Sequence, residues 1–320
     1  MRSAQVMAWI CSACLTLTGM DTTSGQDYPA KPIRMVTSET GGASDVVSRL
    51  IAPGLSENLG QPVIVDDRGT NIAGDIVAKA PPDGYTLLLF GSALWTLPLI
   101  RKNMPYDAVT DFAPITLVAS APTILVVHPS VPVTSVRELI ALAKAKPGEL
   151  NYAGGAVGSP NHIAGELFKA MAGVNFVRIP FRGSGTAVNA LVGGHVQLSF
   201  SPATAAMPHV KAGRLRALAV TSAQPTAVAP GLPTIAASGL PGYESVGMYG
   251  VFAPAKTPAV VIDRLNREIR RVLAKADIKE RFFNVGSDVV GNSPSEFAAM
   301  RKADIARVGK VVRDAGIREE

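Results

Sequence analysis

Residues 35–49 read MVTSETGGASDVVSR and residues 151–168 read NYAGGAVGSPNHIAGELF. One physical design underlies both: a strand, a glycine-rich turn, then the start of a helix. In the first, Gly41 and Gly42 occupy the turn, Ala43 follows, and Ser44 and Asp45 are placed as helix N-cap residues. In the second, Gly154, Gly155 and Gly158 occupy the turn, Ser159 is the N-cap and Pro160 takes the first helical position. Glycine lets a backbone approach a ligand closely, and the unpaired N–H groups and dipole of a helix N-terminus attract an anion. Either turn alone is an ordinary strand-to-helix connection. Two of them, one in each half of a chain, can converge on a single carboxylate or phosphate.

Outward from these turns, strand-like and helix-like runs alternate almost throughout, the signature of an α/β architecture with mainly parallel strands. Residues 33–38, 62–67 and 85–90 read as strands, and residues 44–58 and 72–80 as helices. After a strand over 121–129, Pro129 and Pro132 punctuate a second series. It has helices at 135–146, 160–172, 184–192 and 203–212, interleaved with strands at 150–153, 176–180, 196–200 and 215–221. A Pro/Gly-rich loop from Pro225 to Gly242 precedes a strand at 246–253 and helices at 258–275 and 294–315. The terminal helices carry an apolar face (Val261, Leu265, Ile269, Leu273) but almost no strands, so they need the first lobe's sheet to cover. The chain then crosses twice between lobes, giving a two-lobed clamshell with a cleft. The expected lobes are residues 27–125 with 248–320, and residues 126–247.

Residues 1–26 read as a secretory signal peptide: Arg2 precedes an apolar stretch from Val6 to Leu17, followed by small and polar residues. A buried first helix and a lipid-modified Cys14 are the weaker alternatives. Both cysteines, Cys11 and Cys14, lie in this segment, so a processed chain has no disulfide framework, thiolate metal site or cysteine nucleophile. Elsewhere no run of about 20 uncharged apolar residues occurs. With 47% hydrophobic and 18% charged residues, disorder is excluded. The net charge of +6 favours anionic partners, but the basic residues are dispersed and carry no nucleic-acid-binding pattern.

Enzyme motifs are absent: there is no G-x-S-x-G elbow, no Walker loop and no G-x-G-x-x-G after a strand. Ser159 and His162 stand three apart, but a nucleophile pair also needs an oriented base and an oxyanion hole, so Ser159 reads as a cap. His128, His162, His195 and His209 show no metal-ligand spacing and read as surface or loop residues. Arg264, Arg267, Arg270 and Arg271, interleaved with Asp263 and Glu268, read as a solvated helix face.

The motifs GGASDVVSR (41–49), PPDGYTLL (81–88), YDAVTDFAPITLV (106–118), KPGELNYAGGAVGSPNHIAGELF (146–168), PFRGSGTAVNALVGGHVQLSF (180–200), GRLRALAVT (213–221), LPTIAASGLPGYE (232–244) and GVFAPAKTPAVVIDRLNREI (250–269) fall in one order and spacing. In this the chain resembles the Bug-type solute-binding proteins of tripartite tricarboxylate transporters. The resemblance implies a periplasmic type II binding-protein fold, no catalysis, no cofactor and no metal. It also implies a monomer that carries a small carboxylate to membrane transporter subunits and binds no nucleic acid. A same-fold sensor feeding a signalling kinase and a Ser/His hydrolase using the cleft are the alternatives. The implied ligand-binding residues are Gly41, Gly42, Ala43, Ser44 and Asp45 in the first turn and Gly155, Gly158 and Ser159 in the second. Ser92, Arg182, Gly183, Ser201 and Thr204 complete the set. Where the family has an apolar run, this chain has Thr37, Ser38, Glu39 and Thr40, and its Phe181-Arg182-Gly183 replaces a Tyr-Lys-Gly. Glu39 and His162 are therefore candidates for specificity, and Glu39 points to an amino- or polar-substituted ligand.

Overall fold

Short β-branched and apolar runs build the first layer. A computed structural model describes residues 28–317 except Glu39, Ala156, Val157, Arg182 and Ala315. The expected signal peptide, with both cysteines, lies outside the described residues, as do Glu39 and Arg182. β1 (Ile33–Thr37) leads to α1 (Ala43–Leu59), β2 (Val63–Asp67), α2 (Thr70–Ala78) and β3 (Thr86–Gly91). The chain continues through the short α3 (Ala93–Thr96) and a 3-10 turn (Leu97–Leu99) into β4 (Phe112–Val127). Next come α4 (Val136–Ala145), β5 (Asn151–Gly154), α5 (Pro160–Ala172), β6 (Val177–Pro180), α6 (Ser184–Val192), β7 (Leu198–Pro202), α7 (Ala203–Lys211) and β8 (Arg216–Val220). The last series is β9 (Val246–Pro254), α8 (Ala259–Ala274), α9 (Ala276–Asn284), β10 (Asp288–Val289) and α10 (Pro294–Asp314).

The strand order is β2-β1-β3-β9-β4-β7-β5-β6, with β8 and β10 also on β4. β4 is the trunk. Its residues from Phe112 to Pro122 pair with β9, and those from Thr123 to Val127 pair with β7 and β8. Register shifts after Pro114 and Leu117 interrupt the first ladder, the kind of irregularity that bends and twists a strand. The expectation of mainly parallel strands is corrected here. β1 with β2 and β3, and β5 with β6 and β7, are parallel, but β4 and β9 run antiparallel to every strand they pair with. Apolar patterning marks these strands as buried and carries no information on direction.

Two apolar clusters cover the first half of the sheet. One joins Ile33, Met35 and Ile51 to Leu265, Ile269 and Val272 of α8; the other joins Phe90, Trp95 and Phe252 to Phe297 of α10. The terminal helices thus return to the first half, as their unpartnered apolar face requires. α10 goes further: Val308, Val311 and Val312 join Leu125, Phe168 and Phe200 in the core of the second half. The helix that starts against one half therefore ends against the other.

Candidate functional site

β1 ends at Thr37, and the chain reaches Gly41 in a left-handed conformation (φ 79°) that a residue with a Cβ rarely adopts. Gly42, with extended backbone, is the N-cap, and α1 begins at Ala43. This corrects the assignment of Ser44 and Asp45 as caps: both sit inside the first turn. Asp45 instead reaches back, its Oδ2 accepting the Gly41 N–H at 2.8 Å, much as a capping-box carboxylate does. Its other oxygen lies 2.6 Å from Arg49 Nε, and Arg49 Nη2 lies 2.5 Å from Asp67. The buried carboxylate is thereby held between the Gly41 N–H and the Arg49 guanidinium. The N-cap Gly42 has no side chain to cap the start of α1, and the first N–H groups of a helix have no partner within the helix itself.

The second turn is capped. Ser159 precedes Pro160 as expected, and its Oγ accepts the His162 N–H at 3.4 Å. Gly158 is left-handed (φ 77°), and its N–H donates to His162 Nδ1 at 3.1 Å. His162 is buried, not a surface residue; burial, helped by the Arg178 guanidinium, pushes its pKa down to about 4. A neutral ring with Nδ1 as acceptor and Nε2 protonated fits both observations. Arg178 Nη2 donates to the Gly155 carbonyl at 2.8 Å, bracing the strand end from below.

The two turns face one cavity of about 690 Å³. Gly42, Ala43 and Ser44 line it from one half of the molecule and Gly158, Ser159 and Pro160 from the other. Ser92 and Gly91, at the end of β3, and Tyr249 of β9 lie between them. The remaining wall is largely apolar, from Ile72, Phe90, Ala93 and Leu97, with Ser38, Gly69 and Arg101. A second cavity of about 500 Å³ adjoins it past Ala43, Pro160 and Tyr249, lined by Gly41, Thr204, Asn161 and the trunk residues Ala121, Pro122 and Thr123.

Of the residues expected from sequence, the cavity thus brings together Gly42, Ala43, Ser44, Ser92, Gly158 and Ser159, while Gly41 and Thr204 line its neighbour. Asp45, Gly155 and His162 stand behind the turns. Gly183 lines neither cavity. Ser201 is fully buried, its hydroxyl 2.9 Å from that of Ser199, because its place in β7 opposite Ile124 turns it into the sheet packing. Sequence reasoning missed Ile72, Phe90, Leu97, Arg101 and Tyr249. The aromatic end of β3 gave a usable signal for Phe90, whereas Ile72 and Arg101 arrive by tertiary placement alone. No hydrogen bond joins the Ser159 hydroxyl to the His162 ring, and no cluster with metal-ligand chemistry occurs, among the described residues.

A mixed sheet bent about one long trunk strand, with a cleft between two helix starts, defines a two-lobed solute-binding protein. Residues 47–317 match the TctC family, the tripartite tricarboxylate transporter family receptor, and the chain belongs to that family. Among curated relatives, Protein BugT of Bordetella pertussis is 36% identical over 302 residues, covering 92% of each chain. Among solved structures, R. palustris Rpa4515 with adipate is 38% identical with a TM-score of 0.76, covering 91% of this chain and 99% of that one. MatC from Rhodopseudomonas palustris with bound malate is 28% identical with a TM-score of 0.72, covering 89% of this chain and all of the other. The family model is that of a receptor.

Proposed function

We propose that this receptor captures a small carboxylate between the Gly41–Ser44 and Gly158–Pro160 turns and delivers it to the membrane subunits of a tripartite transporter. One observation carries the reading: the helix starts of α1 and α5, from opposite halves of the sheet, line one cavity. The N-terminus of α1, whose N-cap Gly42 has no side chain, supplies N–H groups and the positive end of a dipole to an anion entering there. Capture in the periplasm by the exported, processed chain is part of the proposal, and binding rather than catalysis is the activity. Relatives with adipate and malate support the ligand class.

The lobes are proposed as residues 27–125 with 248–320, and residues 126–247. The exchange of β4's partners at Thr123 and the start of β9 at Val246 support a hinge at both crossings. Closure about these strands would bring the two turns together over the ligand.

The test is calorimetry with a panel of mono-, di- and tricarboxylates beside neutral sugars and amines. Saturable binding confined to carboxylates is expected. Binding confined to a ligand without a carboxylate would refute the reading.

A further inference from the structure

Among the described residues, three line both cavities: Ala43 at the start of α1, Pro160 at the start of α5, and Tyr249 of β9. Tyr249 is the one large side chain of the three, and two buried glycines fix its place. A Cβ on Gly91 would lie 3.2 Å from ring atom Cε1 of Tyr249 and 3.6 Å from Ser44 Oγ. A Cβ on Gly247 would lie 3.5 Å from the Tyr249 hydroxyl and 3.6 Å from Pro160 Cγ. The ring edge therefore sits on the α1 side of the junction and the hydroxyl on the α5 side.

On that second side the backbone has little to give. The Gly158 N–H is spent on His162 Nδ1, the His162 N–H on Ser159 Oγ, and Pro160 has no N–H at all. An anion held between the two helix starts needs side-chain donors there, and hydroxyls are what this side carries, from Ser159 and Tyr249. The Tyr249 hydroxyl has no hydrogen-bond partner among the described residues. Burial raises its pKa, so the phenol stays protonated. A hydroxyl shielded from water and left unpaired is costly, whereas one that donates to a carboxylate makes a charge-assisted bond.

We infer that Tyr249 donates its hydroxyl proton to the ligand carboxylate from the α5 side, completing an anion site whose second turn has spent two of its own N–H groups. The inference rests on the carboxylate reading above and names a donor within that site.

The experiment is calorimetry on wild type and Tyr249→Phe with adipate, malate, citrate and whichever other acid of the panel binds most tightly, together with thermal melts. The substitution removes only an oxygen that has no partner among the described residues, so the melting temperature should hold. Carboxylate affinity should fall about tenfold or more, the usual worth of a hydrogen bond to a charged group. Infrared spectra with the tightest acid labelled at its carboxylate carbons should show the bound carboxylate stretch shifted between the two proteins. Undiminished affinity in Tyr249→Phe would overturn the inference and leave the carboxylate reading standing. So would weaker binding with a lower melting temperature and an unshifted stretch, which would make Tyr249 a packing residue. Failure of wild type to bind any acid, while binding a ligand without a carboxylate, would overturn both.

Discussion

The Gly158 N–H is spent on His162: it donates to Nδ1 of the buried imidazole at 3.1 Å. The second turn therefore presents Ser159 and Pro160 to the cavity while its left-handed glycine is anchored from behind. His162 acts by holding this backbone in place, and its protonation state sets whether the anchor exists, since an imidazolium has no acceptor nitrogen.

This gives a pH dependence. His162 titrates at about 4 in the folded chain, lowered first by burial and then by Arg178, against about 6.5 when unfolded. Between these values the unfolded chain binds more protons, so stability falls as pH drops from about 6.5 to about 4. The contribution is full above pH 6.5. Melting temperatures over this window should show a steeper acid loss for wild type than for His162→Asn, whose side-chain oxygen can accept the same N–H without titrating. Parallel curves would remove His162 from the account.

A second expectation separates the two glycines of the first turn. Gly41 is left-handed, so Gly41→Ala is strained whatever space surrounds it, by about 1–2 kcal/mol. Gly42 has ordinary backbone angles (φ −71°, ψ 160°) and lines the cavity. Gly42→Val should keep the melting temperature within a few degrees and lower carboxylate affinity about tenfold or more, whereas Gly41→Ala should lower the melting temperature. Calorimetry and thermal melts on both proteins check this; a Gly42→Val variant with undiminished affinity would contradict it.

Much of this arrangement is legible in the sequence because its cues are local. The helices Pro160–Ala172 and Ser184–Val192 fall where glycine, serine and proline punctuation places them. The cap of α1 misleads because Ser44 and Asp45 are favoured N-cap types, yet here Asp45 lies inside the first turn and reaches back to Gly41. The first half of β4 escapes notice because Pro114 interrupts an otherwise strand-like run, and that proline falls at a register shift. α9 is hidden by its charges, with only Ile278 and Phe282 buried on its core face. Arg101 has no local signature at all. It comes to line the cavity only when the segment after β3 folds against the second turn, where Ile100 and Leu97 lie next to Gly158.

The last expectation concerns how α10 ties the halves together. Trp95, almost wholly buried beside β3, donates its indole N–H to Asp304 Oδ2 at 2.8 Å. Asp304 also pairs with Arg307, whose other nitrogen lies 3.1 Å from Glu244 at the approach to β9. One turn of α10 thus joins a residue next to the cavity to one of the two crossings. Asp304→Ala leaves a buried indole N–H without an acceptor and Arg307 without its closest carboxylate, a loss of about 1–3 kcal/mol. Asp304→Asn keeps an acceptor for the indole and should cost less. Glu244→Gln breaks only the half-exposed pair, worth at most about 1 kcal/mol. The expected order of melting temperature is wild type, Glu244→Gln, Asp304→Asn, Asp304→Ala. Trp95 is the one tryptophan among the described residues, so its emission should change in Asp304→Ala and hold steady in Glu244→Gln. Equal melting temperatures and emission for wild type and Asp304→Ala would show that the network holds nothing together.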